Sequence, residues 1–218
     1  MVEASKFQFT LYGLTPLLLH ADSVSAAEEV REWRLSPENR AAPAGDDRYP
    51  PWTWQSYVYS DGQHLALPQM NILAGLRVAG AQVRLQGRKS LRQLSQSAIV
   101  PDSDYAQLFI DGKKIPISLL EGFKHESFAD QVRKARELGI ELMAVRARVG
   151  QAKHVRVRPC IYKWQVQGTV TVYSRELTRD RMQQLFDLAG DAGLGDWRPS
   201  CRTPGPYGRF RAEVELLR

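Results

Sequence analysis

The stretch RPCIYKWQVQGTVTVY, residues 158–173, constrains the fold most, because alternation sustained over that length favours a β-strand. Cys160, Tyr162, Trp164, Val166, Val170 and Val172 fall on one side of it. Lys163, Gln165, Gln167, Thr169 and Thr171 fall on the other, with Gly168 expected to mark a bulge or kink. A strand with one apolar face needs a covering layer. The residues that follow supply one.

Thr178 is placed to cap a helix in which Met182, Leu185, Phe186 and Ala189 recur at i, i+3, i+4 and i+7. Asp180 in its first turn suits the helix dipole, and Gly190 or Gly193 ends it. Phe210, Ala212, Val214 and Leu216 then alternate with Arg211, Glu213 and Glu215, the pattern of a terminal strand. Near the start, Phe7, Phe9 and Leu11 alternate with Gln8 and Thr10, and the apolar run PLLLH ends at His20. In NILAGLRVAGAQV the residues Ile72, Leu76, Ala79 and Val83 fit a helix opened by Pro68. Its small residues Ala74, Gly75, Ala79 and Gly80 predict close packing on a sheet.

The remaining segments read as insertions. Residues 21–66 carry Pro, Asp, Ser and Trp, with a short helix at AAEEVREW. LFIDGKKIPI has the form of a hairpin whose Asp-Gly turn displays Lys113 and Lys114. FADQVRKAREL, closed by Gly139, reads as a surface helix. Stripped of insertions the order is βαββαβ, an α+β ferredoxin-like (RRM-like) fold with an antiparallel sheet and one uncovered face. The expectation is a single domain, 1–218, with insertions at about 21–66 and 84–154.

At 43% hydrophobic the chain can bury a core, and its formal charge of +6 admits a polyanionic partner. Cys160 and Cys201 stand far apart, which excludes a disulfide framework and a structural zinc site. His20, His64, His125 and His154 do not pair at ligand spacing, and Asp46-Asp47 and Asp102-x-Asp104 read as solvated turns. No metal or cofactor is expected. No apolar run approaches a membrane span and MVEASKFQF lacks a signal-peptide core, so the expected location is cytoplasmic, without membrane attachment.

The charge is not evenly spread. Between Glu141 and Glu176 there is no acidic residue, while Arg146, Arg148, Lys153, His154, Arg156, Arg158, Lys163 and Arg175 fall inside that interval. Arg156 and Arg158 would project from one face of an extended chain, roughly 6–7 Å apart, a spacing suited to successive phosphates. As exposed charges they would contribute little to folding stability.

The run GLGDWRPSCRTPGPYGRF, residues 193–210, combines Gly193, Gly195, Gly205 and Gly208 with Trp197, Tyr207, Arg198, Arg202 and Arg209. Glycines let a backbone approach closely, and successive N–H groups in such a loop can form an anion-binding concavity. Arginines grip phosphates and the rings stack on bases. The combination points to single-stranded nucleic acid, RNA or DNA.

A glycine-rich loop just before the last strand resembles the RAMP superfamily of CRISPR-associated proteins. LPQMNILAGLRVAG is similar to that family's helix start, with Pro68, Gly75 and Arg77 at the matching positions and Ala74 where the family has lysine. Gly193, Gly195, Gly205 and Gly208 correspond to its terminal loop. The chain also resembles uncharacterised phage and prophage proteins that share PLLLH, G-x-G-D-W-R-P and a closing G-R-F. The RAMP resemblance implies a non-catalytic, backbone-type subunit of a guide-RNA complex, present in several copies that associate along the strand. Two alternatives stay open: a phage single-stranded DNA binding or annealing protein, and a guide-processing ribonuclease using His20 as general acid or base.

Overall fold

The computed structural model describes residues 4–84, 90–149 and 152–217. The strands are β1 (Ser5–Gly13), β2 (Leu17–Leu18), β3 (Ala66–Pro68), β4 (Ile99–Pro101), β5 (Tyr105–Ile110), β6 (Ile140–Val149), β7 (Ala152–Ile161), β8 (Trp164–Val172) and β9 (Phe210–Leu217). The helices are α1 (Val24–Leu35), α2 (Gln69–Gly80), α3 (Arg92–Ser97), α4 (Ile117–Glu121), α5 (Phe128–Glu137) and α6 (Arg179–Ala192).

The larger sheet runs β3-β5-β8-β1-β9, with β4 also paired to β8. Every pairing is antiparallel, Phe9 standing opposite Gly168 on one side and Val214 on the other. The path β5-β8-β1-β9, with α2 following β1 and α6 following β8, is the ferredoxin-like order predicted from βαββαβ. Phe7, Phe9 and Leu11 of β1 and Val166, Val170 and Val172 of β8 are buried beneath the helices. Phe186 of α6 meets Phe9 with ring centroids 5.0 Å apart. Thr178 caps α6 by accepting from the Arg181 N–H, and Gly193, at φ 76°, reverses the chain.

Four local expectations need correction. RPCIYKWQVQGTVTVY is not one strand: it breaks at Tyr162-Lys163 into β7 and β8, which belong to different sheets. The break has a physical cause. Pro159, Cys160 and Ile161 are all buried, so the end of β7 is covered on both faces and alternation there no longer reports one side. The Trp164 indole N–H then fixes the start of β8 by donating to the Thr15 carbonyl at 2.9 Å.

Gly168 is no bulge, since it stays in register with Phe9. A Cβ there would stand 2.5 Å from the Phe9 ring, so the glycine makes room for that ring. The two glycines of α2 face helices rather than the sheet: a Cβ at Gly75 would rest 3.5 Å from Ala189 of α6, and one at Gly80 would collide with Ser95 of α3. The Asp111-Gly112 turn forms with both residues at positive φ, but its returning arm is a single bridge between Ile110 and Lys113. Pro116, lacking an N–H to extend a ladder, stands at the N-cap of α4 instead.

A second sheet, β2-β7-β6, was not legible as such. Its hairpin pairs Ile140 with Ile161 through to Val149 with Ala152. The insertion at 21–66 begins with α1 and adds residues 45–47 along β7, where Asp47 N–H donates to Val155 O at 2.9 Å. Trp54 of this insertion is buried and donates to Gln131 Oε1 of α5 at 2.7 Å, tying the two segments together.

Candidate nucleic-acid interface

The glycine-rich loop between α6 and β9 is packed onto the body by its own backbone. Leu194 N–H donates to Gly208 O, Gly208 N–H to Pro16 O, and Asp196 N–H to Leu18 O, all within 2.9 Å. A Cβ at Gly208 would collide with the Leu194 carbonyl, and one at Gly195 with the Leu18 carbonyl. Close approach is therefore what these glycines provide. Gly193 and Gly205 also donate to backbone carbonyls, those of Ala189 and Arg198, so the N–H groups of Gly193, Gly205 and Gly208 do not form the anion-binding concavity expected from sequence.

The loop presents its side chains outward. Trp197 sits at φ 45°, with its carbonyl and ring against Gly205 and its ring 5.6 Å from that of Tyr207. Trp197 is 40% exposed beside this second ring. The Tyr207 hydroxyl donates to Met143 Sδ at 3.2 Å, linking the loop to β6.

Next to Trp197 lies a cleft of about 200 Å³ lined by His20, Tyr59, Asn71, Ala74, Leu194, Gly195, Asp196 and Arg198. His20 Nδ1 stands 3.5 Å from Asp196 Oδ2, and its ring meets Tyr57 edge-on at 5.1 Å. The imidazole beside Asp196 holds that carboxyl below the usual carboxylate range. The Trp197 N–H and Arg158 act the same way, against partial burial. Arg198 donates to Gly195 O at 2.8 Å and to Ser200 Oγ at 3.0 Å. Two of its five N–H donors are thus used to fix the guanidinium, leaving three for a ligand.

Behind the cleft, Arg158 is only 11% exposed. It reaches Asp196 at 3.5 Å and Asp47 at 3.3 Å, and stacks 4.2 Å above the Tyr57 ring. Asp47, 4% exposed, also accepts from Arg156 at 3.0 Å, from the Val157 N–H at 3.1 Å and from the Tyr57 hydroxyl at 3.1 Å. Charges alternate from Arg156 through Asp47 and Arg158 to Asp196, and the His20 imidazole stands at the end of the series. Arg156 and Arg158 do share a face, as their spacing predicted, but that face meets a buried carboxylate. Asp46 and Asp47 are accordingly buried rather than solvated, Asp46 pairing with Arg48 at 2.5 Å.

The other cations are more dispersed. Arg202 is exposed, and Arg209 reaches Asp191 at 3.4 Å. Arg146 is exposed on β6, while the side chains of Arg148 and Lys153 lie outside the described residues. Lys163 pairs with Asp111 at 3.3 Å beside the turn after β5, apart from the cleft. Burial pushes the Cys160 thiol up to about 11, keeping it protonated and unreactive at neutral pH.

Sequence reasoning missed Asp47, Tyr57, Tyr59, Asn71 and Asp196. Asp196 stood inside the quoted loop, and its signal was adjacency to Trp197 and Arg198. Asp47 gave none, since its arginine partners lie 109 and 111 positions away. Among the described residues no group of three or more His, Cys, Asp or Glu is placed to hold a metal ion, and no helix is long and apolar enough to cross a membrane.

No protein-family model matches the chain, and no curated protein matches it in sequence. Among solved structures it is similar to the crystal structure of Cmr6 from Pyrococcus furiosus, with a TM-score of 0.36 and 14% identity over 98% of this chain and 100% of that one. The chemistry of the cleft rests on its own geometry.

Proposed function

We infer that the protein binds single-stranded nucleic acid, RNA foremost, with a backbone phosphate in the cleft between His20 and Arg198 and the adjoining base on Trp197. The observation that supports this most is the contiguity of the parts. A fixed guanidinium with spare donors opens on the same cleft as an imidazole, one residue from an exposed ring that lies tilted against Tyr207. Phosphate contacts bring salt dependence and ring stacking brings tolerance of sequence.

The role proposed is that of a non-catalytic, RRM-like backbone subunit, one domain with insertions, in a ribonucleoprotein of the CRISPR-associated kind. This part rests on the likeness of the α2 start and the glycine-rich loop to the RAMP pattern. Fluorescence anisotropy with a labelled single strand at two ionic strengths tests the binding. Affinity should fall steeply with salt, and Arg198→Ala should lower it about tenfold, the size of one charge-assisted hydrogen-bonded contact. Absence of binding at low salt, or salt-independent binding, overturns the reading.

The His20–Asp196 contact favours a second reading. An imidazole oriented by a carboxylate at a cleft mouth is equipped for proton transfer to or from a ribose hydroxyl. RNA cleavage in the presence of a chelator, lost in His20→Ala while binding is retained, would move the assignment from subunit to ribonuclease.

A further inference from the structure

We propose that the uncovered face of the larger sheet carries a separate seat for one unstacked nucleobase, selective for adenine. The inference rests on the single-strand reading above but on none of the residues of the phosphate cleft. The helices α2 and α6 cover one face of the sheet. The other bears Lys6, Gln8, Thr10 and Tyr12 of β1, Gln165, Gln167, Thr169 and Thr171 of β8, and Tyr105, Gln107 and Phe109 of β5.

Its charges stand at the margins. Lys6 pairs with Asp102 at 3.2 Å on one side, while Glu213 meets the Tyr12 hydroxyl at 3.0 Å and Arg211 covers the Tyr12 ring on the other. The centre is uncharged and concave: a depression of about 250 Å³ lined by Gln8, Ser103, Tyr105, Gln107, Gln167, Gly168 and Thr169.

The register places the amides side by side. Gln107 stands opposite Gln167, Gln167 opposite Thr10, and Gln8 opposite Thr169. None of the side chains of Gln8, Gln107 and Gln167 makes a hydrogen bond to another described residue, so their donors and acceptors face the depression unpaired. The rim, by contrast, is fixed: Gln69 donates to Ser103 Oγ at 2.8 Å and Ser103 donates to Tyr105 O at 2.9 Å.

A solvated sheet face is normally studded with charges. Here neutral donor–acceptor pairs fill the centre, Glu213 and Glu215 stand along β9, and the cations Lys6, Lys114 and Arg211 stand at the margins, each held by a carboxylate or over a ring. That combination suits a neutral, planar ligand with hydrogen-bonding edges. A glutamine amide matches the N6 and N7 edge of adenine with two hydrogen bonds. Tyr105, 40% exposed at the rim, supplies a face for stacking.

The test compares labelled decamers of adenylate and uridylate at one low salt concentration, with wild type, the double change Gln107→Ala/Gln167→Ala, and Arg198→Ala. Wild type should prefer the adenylate strand on the order of tenfold. The double change should equalise the two strands while leaving uridylate affinity in place, and Arg198→Ala should weaken both alike and keep their ratio. Equal affinities in wild type, or a preference that survives the double change, overturns the seat while leaving the phosphate cleft intact.

Titration of ¹⁵N-labelled protein with adenosine, which has no phosphate, tests the seat independently of strand binding. Shifts should concentrate on the side-chain amides of Gln8, Gln107 and Gln167. An unperturbed set of those amides at saturating adenosine overturns the proposal.

Discussion

Asp47 holds Arg156, Arg158 and the Val157 N–H at once from a buried position, so its removal leaves the nearly buried Arg158 with Asp196 as its remaining carboxylate and the Val157 N–H without its acceptor. Breaking one partner out of a buried ion pair costs about 3–5 kcal/mol. For a chain of this size Asp47→Ala should therefore lower Tm by about 10 °C in a thermal melt, whereas exposed Arg202→Ala should leave it within a degree or two. The expectation that Arg156 and Arg158 are dispensable for folding reverses for Arg158, because it fills the space between two carboxylates. An unchanged Tm in Asp47→Ala would show that the carboxylate stabilises neither arginine.

Asp196 carries a pH consequence of the same kind. Its folded-state carboxyl lies below the ordinary value, chiefly through His20, so ionised Asp196 stabilises the fold above its unfolded value of about 3.9. That contribution disappears as pH falls through the lower folded-state value. Asp196→Asn should flatten the acid limb of the stability-versus-pH curve below about pH 4 and leave the neutral region little changed. Urea melts between pH 3 and 7 give the comparison; an identical acid limb in wild type and variant would contradict it.

At the scale of elements, legibility followed how many faces each element buries. β1, α2, α6 and β9 each present one apolar side, and their spacing alone placed them. β6 was missed because ELMAVRARV holds apolar residues on both sides, its strand character coming from pairing with β7 rather than from a pattern. The glycine-rich loop was legible as a place and misread in mechanism. Its glycines permit backbone crossings, and composition cannot distinguish a crossing from an anion nest.

Gly208 makes the difference measurable. At φ 73° with the Leu194 carbonyl in the way, Gly208→Ala is strained twice over and should destabilise by more than about 1 kcal/mol. It should also unseat Trp197, lowering single-strand affinity together with Tm. A loop serving only as an anion nest would lose affinity at constant Tm.

At the scale of the whole molecule the charge is segregated. Residues 22–38 hold five acids, Asp22, Glu28, Glu29, Glu32 and Glu38, against Arg31 and Arg34, so 2 − 5 gives −3. The chain totals +6, so the remainder carries 6 − (−3) = +9. The helix at the centre of this acidic segment, α1, has no buried residue, and isolated helices of its length are marginal in water. A net-acidic segment exposed on a basic molecule suits contact with the basic surface of a second copy. One RRM-like sheet covers only two or three bases, so a long strand leaves room for many copies. Repeated head-to-tail contact gives an open filament when the rotation does not close. The prediction is that long single-stranded RNA at saturating protein assembles regular filaments in negative-stain microscopy, and that Glu28→Lys/Glu32→Lys abolishes them while a decamer still binds. Discrete single-copy particles on long RNA with the wild-type chain would refute repeated assembly. Filaments persisting in the charge-reversed variant would instead refute the part assigned to α1.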